Sequence, residues 1–308
     1  MKKLKIYANS VMAMLCLQLT ANSQSYFYNY RYYESPVLTE LGLSIGAMNC
    51  LTDLGGRSGT GKKFLGDVNW QNTRFCAGIN FSLLYKNMIA IRLEANYGQV
   101  TAADSVLKHD VSVAGYRYLR NLSFRSIVME AYLGLEFHPL LLFGVFREDG
   151  IALSPYILAG IGFYNFNPQA KTANSWVNLA ALHTEGQGFA EYPDKKEYKL
   201  TQINFPLGAG LKYELSPLFN LRIEMLYRIL RTDYLDDVSG SYADARSFYR
   251  NMNPTMARLA ETMADRSKEL NPLLRNTAGT TRGNPANKDA YFSFNVKISF
   301  ILNRSERH

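Results

Sequence analysis

The chain has 308 residues, of which 13% are aromatic and 19% are charged. Its formal net charge is +8, but the basic residues are scattered, which argues against a groove for nucleic acid. Beyond the N-terminal segment, no stretch approaches the roughly 18 continuous apolar residues of a membrane-spanning helix. A membrane-embedded chain of this composition must therefore span the bilayer with β-strands.

The first residues have the pattern of a secretory signal. Lys2, Lys3 and Lys5 precede an apolar core over 6–19, and Ala21-Asn22-Ser23 resembles a cleavage site. We therefore expect a signal peptide over 1–23, followed by one exported domain over 24–308.

Apolar and polar residues then alternate in segments of strand length. The pattern is clearest on either side of Ser216-Pro217. Phe205, Leu207 and Leu211 share one face before this turn, and Leu221 and Ile223 share one face of the returning strand. Period-two alternation indicates β-strands, and about 10 residues suffice for a tilted strand to cross a bilayer. In chain order, the predicted strands are 37–49, 75–85, 88–99, 124–137, 153–165, the two strands of this hairpin, and 290–302.

Eight strands predict an all-β fold, an eight-stranded antiparallel transmembrane β-barrel in the outer membrane of a Gram-negative bacterium. The two shortest connections, Lys86-Asn87 and Ser216-Pro217, lie on the same side as both termini and the segment 139–152, so that side should be periplasmic. Long loops at 50–74, 100–122, 166–197 and 234–289 should then be extracellular.

The last long loop contains a predicted helical insert at about 244–270. Asn253-Pro254 is typical of a helix start, and Met256, Ala260 and Met263 follow at helical spacing. We expect a helix over 254–270 that covers the barrel mouth, with a partner-binding helix as the alternative.

Charged residues fall on the face opposite the apolar one. We expect them to form an ion-pair network in the barrel interior, because an eight-stranded barrel is just wide enough to be filled by side chains. The predicted interior charges are Glu40, Arg92, Glu94, Glu130, Glu136, Lys212, Glu214, Arg222, Glu224, Arg228 and Lys297.

Candidate chemical sites are few. Cys50 and Cys76 flank the first long loop, and either a disulfide or two free thiols is compatible with their spacing. Residues 56–62 approach a P-loop, but Lys63 replaces the required Ser or Thr. Asp233, Asp236 and Asp237 form a cluster that fits either a calcium site or loop anchoring. We expect no catalytic residues, no cofactor and no metal, and the four histidines lie far apart in the sequence.

Several segments resemble one family. They are ELGLSIGAMNCLTDLG at the first strand, PYILAGIGFYNFNP over 155–168, LHTEGQ over 182–187, FPLGAGLKY over 205–213 and TDYLDDVSGSY over 232–242. In this order they are similar to the PorG-like outer-membrane barrel of the type IX (Por) secretion system of Bacteroidetes-type bacteria.

This resemblance implies a non-enzymatic barrel that anchors PorK/PorN-like periplasmic ring proteins to the outer membrane and supports export of proteins with a C-terminal sorting signal. Within the predicted periplasmic segments, Arg147, Glu148 and Asp149 are the candidate contacts with those partners. The alternatives are a stand-alone barrel for adhesion or envelope integrity and a lipid-modifying enzyme.

Overall fold

The computed structural model describes residues 36–56, 68–108, 115–139, 153–173 and 175–304. The predicted signal peptide, most of the near P-loop segment and the candidate contacts Arg147, Glu148 and Asp149 lie outside the described residues. In the described part no helix is long and apolar enough to cross a membrane.

The described chain contains nine strands and three α-helices. The strands are β1 (Val37–Leu51), β2 (Arg74–Tyr85), β3 (Ile89–Ala103), β4 (Ser123–Phe137), β5 (Leu153–Lys171), β6 (Trp176–Asn178), β7 (Thr201–Glu214), β8 (Phe219–Leu230) and β9 (Ala290–Ile301). The helices are α1 (Gly115–Arg120), α2 (Ala245–Asn251) and α3 (Pro254–Ala264).

Eight of these strands close into an antiparallel barrel. The order around the sheet is β4, β3, β2, β1, β9, β8, β7 and β5, and the pairing of β4 with β5 closes the ring. The short β6 pairs with the outer end of β5 and lies outside the ring. The predicted eight-stranded antiparallel barrel is therefore confirmed, and β6 is the one strand that sequence reasoning did not anticipate.

The outward face of each barrel strand is apolar and the inward face is polar. Along β3, Ile91 and Leu93 are 53% and 56% exposed, whereas Arg92 and Glu94 between them are 0% and 1% exposed. Exposed apolar side chains around a closed ring are stable in hydrocarbon and not in water. This distribution and the closed antiparallel ring place the chain in an outer membrane.

Tight turns join the strands at one end of the barrel. Lys86 and Asn87 both adopt positive φ (48° and 57°), as a two-residue type I′ hairpin requires, and the Met88 amide donates to the Tyr85 carbonyl. The turn between β7 and β8 lies at the same end, as do the start of β1 and the end of β9. Short turns face the periplasm in such barrels, so the long loops are extracellular.

Residues 179–198 and 231–289, here called the extracellular cap, pack into the opposite end. Ala257, Ala260 and Met263 of α3 join a buried apolar cluster with Phe166 of β5 and Tyr291 of β9. The helix therefore covers the barrel mouth from inside the cap, as the sequence pattern predicted.

Helix α3 begins as predicted and ends earlier. Asn253 accepts a hydrogen bond from the Met256 amide (2.9 Å), which caps the first turn. The helix stops at Ala264 rather than near residue 270, because Asp265 leaves the helical backbone conformation (φ −131°, ψ 99°). The Asp265 carboxylate instead accepts hydrogen bonds from Ser267 and Asn276, which fixes the chain after the helix.

Candidate functional site: the filled interior and the extracellular cap

Ten of the predicted interior charges lie in the centre of the barrel, each at most 4% exposed. Five are cations and five are anions, so their formal charges cancel: Arg92, Lys212, Arg222, Arg228 and Lys297 against Glu40, Glu94, Glu130, Glu136 and Glu224. The eleventh, Glu214, lies nearer the periplasmic end and pairs with Arg304 (3.5 Å).

Eight of the ten form one connected chain of ion pairs. Arg222 Nη1 lies 2.8 Å from Glu136 Oε1, and Lys297 Nζ lies 2.6 Å from Glu94 Oε2. Each buried ion is thus neutralised by a neighbour, as burial in a low-dielectric interior demands. In order, the chain runs through Lys212, Glu40, Arg222, Glu136, Arg92, Glu224, Lys297 and Glu94.

The other two charges form a separate pair nearer the cap. Arg228 donates through Nη2 to Glu130 Oε2 (2.9 Å), and Asn204 and Tyr291 donate to Glu130 Oε1 (2.6 and 3.1 Å). Glu130 therefore has a saturated set of donors, and this pair closes the interior beneath the apolar cluster of the cap.

Tyrosines in the interior complete the network. The Tyr156 ring lies 5.4 and 5.5 Å from the guanidinium carbons of Arg92 and Arg222, and its hydroxyl donates to Glu224 (2.8 Å). Tyr132 donates to Glu94 (2.8 Å). Sequence reasoning missed both residues, although each has the inward parity of its strand.

Leucine also occupies inward positions where the alternation predicts polar residues. Leu226 packs against Tyr132 and Leu158 in a small apolar cluster, and Leu230 joins the cluster beneath the cap. Gly208 makes room for Leu226, since a Cβ at residue 208 would lie 2.6 Å from Leu226 Cδ1. The interior is thus a packed core in which apolar patches separate the charges.

A histidine continues the network toward the periplasmic end. His138 Nε2 lies 2.8 Å from Glu136 Oε1, and His138 Nδ1 lies 2.9 Å from Ser154 Oγ. A serine, a histidine and a carboxylate in contact can activate a nucleophile. Here, however, Ser154 is buried, and Glu136 is also bound by Arg92 and Arg222, so the two contacts of His138 extend the network by hydrogen bonds.

The two cysteines do not form a disulfide. Cys76 pairs in the sheet with Gly46, and Cys50 lies four residues further along β1. At 3.3 Å per residue this places the two cysteines about 13 Å apart, beyond the reach of a disulfide. Both are buried free thiols, and Cys76 Sγ contacts Asn295 Oδ1 at 3.3 Å. The bridged alternative is therefore wrong.

Two of the family-like segments interlock in the extracellular cap. Thr184, from LHTEGQ, donates to Asp237 of TDYLDDVSGSY (2.5 Å). Glu185 accepts from the backbone amides of Ser239 and Gly240 (2.9 and 3.0 Å) and pairs with Arg282 (3.1 Å). Thr184 and Glu185 therefore join the loop before β7 to the loop after β8.

The aspartate cluster after β8 also anchors loops. Asp236 accepts from the amides of Leu54 and Val238 (3.1 and 2.9 Å), which ties the first loop to the last. Asp233 is buried nearby, and burial, with the Asp53 carboxylate adding to it, raises its pKa to about 7. Among the described residues, no group of three or more His, Cys, Asp or Glu is arranged to hold a metal ion.

A groove of about 920 Å³ opens beside the cap at the outer end of β1. Arg120 and Arg282 line it, but Asp104 (2.8 Å) and Glu185 (3.1 Å) neutralise them. Arg117, Arg275 and Lys288 also line the groove, and Asp53 and Asp289 are its lining carboxylates, so cations outnumber anions in the lining.

Comparisons with known proteins agree with this architecture. Residues 31–254 match the model of a family described as "Domain of unknown function (DUF6089)". No curated protein matches the sequence.

Three solved structures illustrate the structural similarity. The N-terminal β-barrel domain of Pseudomonas aeruginosa OprF is 11% identical, with 86% of this chain and 97% of that chain covered and a TM-score of 0.31. P. aeruginosa OprG is 9% identical, with coverages of 89% and 99% and a TM-score of 0.36. Yersinia pestis Ail, solved with the heparin analogue sucrose octasulfate, is 10% identical, with coverages of 86% and 99% and a TM-score of 0.35. These scores are low, so the barrel assignment rests on the strand pairing itself.

Proposed function

The chain belongs to the family described as "Domain of unknown function (DUF6089)", and from that premise we propose that it is a non-enzymatic anchor of a secretion machine in the outer membrane. The proposed machine is the type IX system, whose PorG-like barrel the sequence resembles. Its partners would be PorK/PorN-like ring proteins in the periplasm.

The observation that carries this proposal is the filled interior. Ten charges cancel one another at the centre of the barrel, and an apolar cluster closes the extracellular end. A barrel without an open lumen acts through its surfaces rather than by passing a solute. A lipid-embedded cylinder that presents two tight turns and the segment 139–152 to the periplasm is suited to holding a periplasmic assembly at the membrane.

The Ser154–His138–Glu136 contact bears on the non-enzymatic part of the proposal. We expect Ser154 to stay unlabelled by a fluorophosphonate probe in the folded protein. Its side chain is buried, and the neighbouring His138 contacts Glu136, whose charge two arginines already neutralise. The lipid A of a deletion strain should likewise have an unchanged mass spectrum. Labelling at Ser154, or a shifted lipid A mass, would contradict a purely structural role.

The test of the anchoring role is affinity purification of the full chain from membranes. We expect ring proteins to be recovered with it, and simultaneous charge reversal at Arg147, Glu148 and Asp149 to reduce that recovery. A control for charge reversal elsewhere on the chain uses Arg258 and Lys288, two cations exposed on the extracellular side. Recovery of the barrel alone, together with an unaltered secretome in a deletion strain, would overturn the proposal.

A further inference from the structure

A cluster of polar side chains lies on the lipid-facing surface at the extracellular ends of β4 and β5. Arg125 shares the outward face of β4 with Ile127 and Met129, which are 42% and 55% exposed. It therefore lies at the upper edge of the apolar belt, where hydrocarbon gives way to lipid headgroups.

The guanidinium of Arg125 is held in a fixed position. Its central carbon lies 3.5 Å from the ring centroid of Trp176, and its Nε donates to Gln169 Oε1 (3.1 Å). Gln169 in turn donates to Asn178 (2.8 Å). The indole ring and the amide chain orient the guanidinium before any ligand arrives, which lowers the entropic cost of binding.

The charge of Arg125 has no protein counterion. Within the described ranges, no carboxylate lies within ion-pair distance of it, and its two terminal nitrogens have no hydrogen-bond acceptor. An arginine that only extends its guanidinium into water does not require contacts with an indole ring and a glutamine to fix its position. The arrangement leaves the forked donor edge, the part that recognises oxyanions, free for an external ligand.

A second cation shares this surface. Lys171 is the sheet partner of Trp176, so the two residues lie on the same face. Lys171 is exposed, and no described carboxylate pairs with it. Two uncompensated cations therefore flank one indole, directly above an apolar surface.

We propose that Arg125, Lys171 and Trp176 form a binding site for a phosphate-bearing lipid of the outer leaflet. The phosphate accepts hydrogen bonds from the terminal nitrogens of Arg125, and Lys171 adds the second positive charge. The acyl chains lie along Ile127 and Met129. The site uses none of the predicted periplasmic contacts and is independent of the anchoring role.

The experiment is native mass spectrometry of the full chain in detergent, titrated with bisphosphorylated lipid A and with its dephosphorylated form. We expect the phosphorylated lipid to bind, and Arg125→Gln to weaken binding about tenfold, as the loss of a charge-assisted hydrogen bond implies. Lys171→Gln should also weaken binding. This residue is exposed, so its variant keeps the test decisive if the Arg125 variant fails to fold.

The control is Arg258→Gln, which makes the same charge change on an exposed extracellular helix and should leave binding intact. Equal binding by the wild type and both site variants would overturn the proposal. So would equal binding of the dephosphorylated lipid. Displacement of the lipid by inorganic phosphate at a similar concentration would show a free-phosphate site and overturn the assignment to lipid.

Discussion

At the scale of single residues, Arg228 shows what holds the interior together. Its side chain is completely buried, and Glu130 is the carboxylate that neutralises it. Arg228→Met leaves the Glu130 carboxylate buried without its counterion, so we expect a loss of about 3–5 kcal/mol in the free energy of unfolding. Urea unfolding of the barrel in lipid vesicles measures the loss.

The matched double variant separates charge from packing. Adding Glu130→Gln to Arg228→Met removes the orphaned charge and should restore most of the stability, because no buried ion remains unpaired. Arg258→Met, on the exposed face of α3, should change little. A double variant as unstable as Arg228→Met alone would show that the pair matters through shape rather than charge.

The sequence predicts the face on which a residue lies better than the neighbours that it meets. Period two assigned Arg222 and Glu136 to the interior, because a misplaced charge would meet hydrocarbon. Their contact across the lumen depends on strand stagger, which no local pattern encodes. For the same reason, the sequence alone could not decide between a disulfide and two free thiols at Cys50 and Cys76. The two cysteines share a face but lie four positions out of register.

At the scale of elements, strand boundaries were predictable where lipid surrounds the strand. β4 and β9 deviate from the predicted limits by a single residue. β5 continues six residues beyond the predicted end, to Lys171, because its outer part leaves the apolar belt. There, Asn165, Asn167 and Gln169 replace apolar residues on the outward face, so the alternation that marks a strand disappears.

The extracellular cap should be more stable in mild acid. Asp53 of the first loop accepts a hydrogen bond from the Asn284 amide of the cap, and burial raises the pKa of Asp53 to about 6. Burial, with the neighbouring Asp53 charge, raises the pKa of Asp233 in the cap to about 7, whereas an unfolded aspartate titrates near 3.8. Between pH 4 and 7 the folded cap therefore binds more protons than the unfolded chain. Its stability should fall as the pH rises through that range.

Asp233→Asn removes one of these buried ionisations and should reduce the pH dependence. The midpoint of thermal unfolding in detergent, compared between pH 4.5 and pH 8, measures this pH dependence. The variant should raise the midpoint most at pH 8. Asp244→Asn is the control, since Asp244 is an exposed helix cap and asparagine caps equally well. A variant whose midpoint falls with pH as steeply as the wild type would contradict this account of the cap.

At the scale of the whole molecule, two independent seals close the barrel. The extracellular cap closes the mouth with an apolar cluster, and the ion-pair network fills the centre. If the network alone suffices, replacing residues 244–270 with a short Gly-Ser linker should leave the barrel non-conducting in planar bilayers. The physical reason is that a permeating ion would have to displace buried ion pairs in a lumen only wide enough for side chains.

The matched variant weakens the network and leaves the cap in place. Arg92→Ala with Glu136→Ala removes a central pair but keeps the apolar cluster, so it should also stay closed. Only the combination of both changes should conduct. Steady conductance after removal of the helices alone would show that the interior charges line a gated path. In that case the barrel would be a channel, and its proposed role as a rigid anchor would lose the observation that supports it.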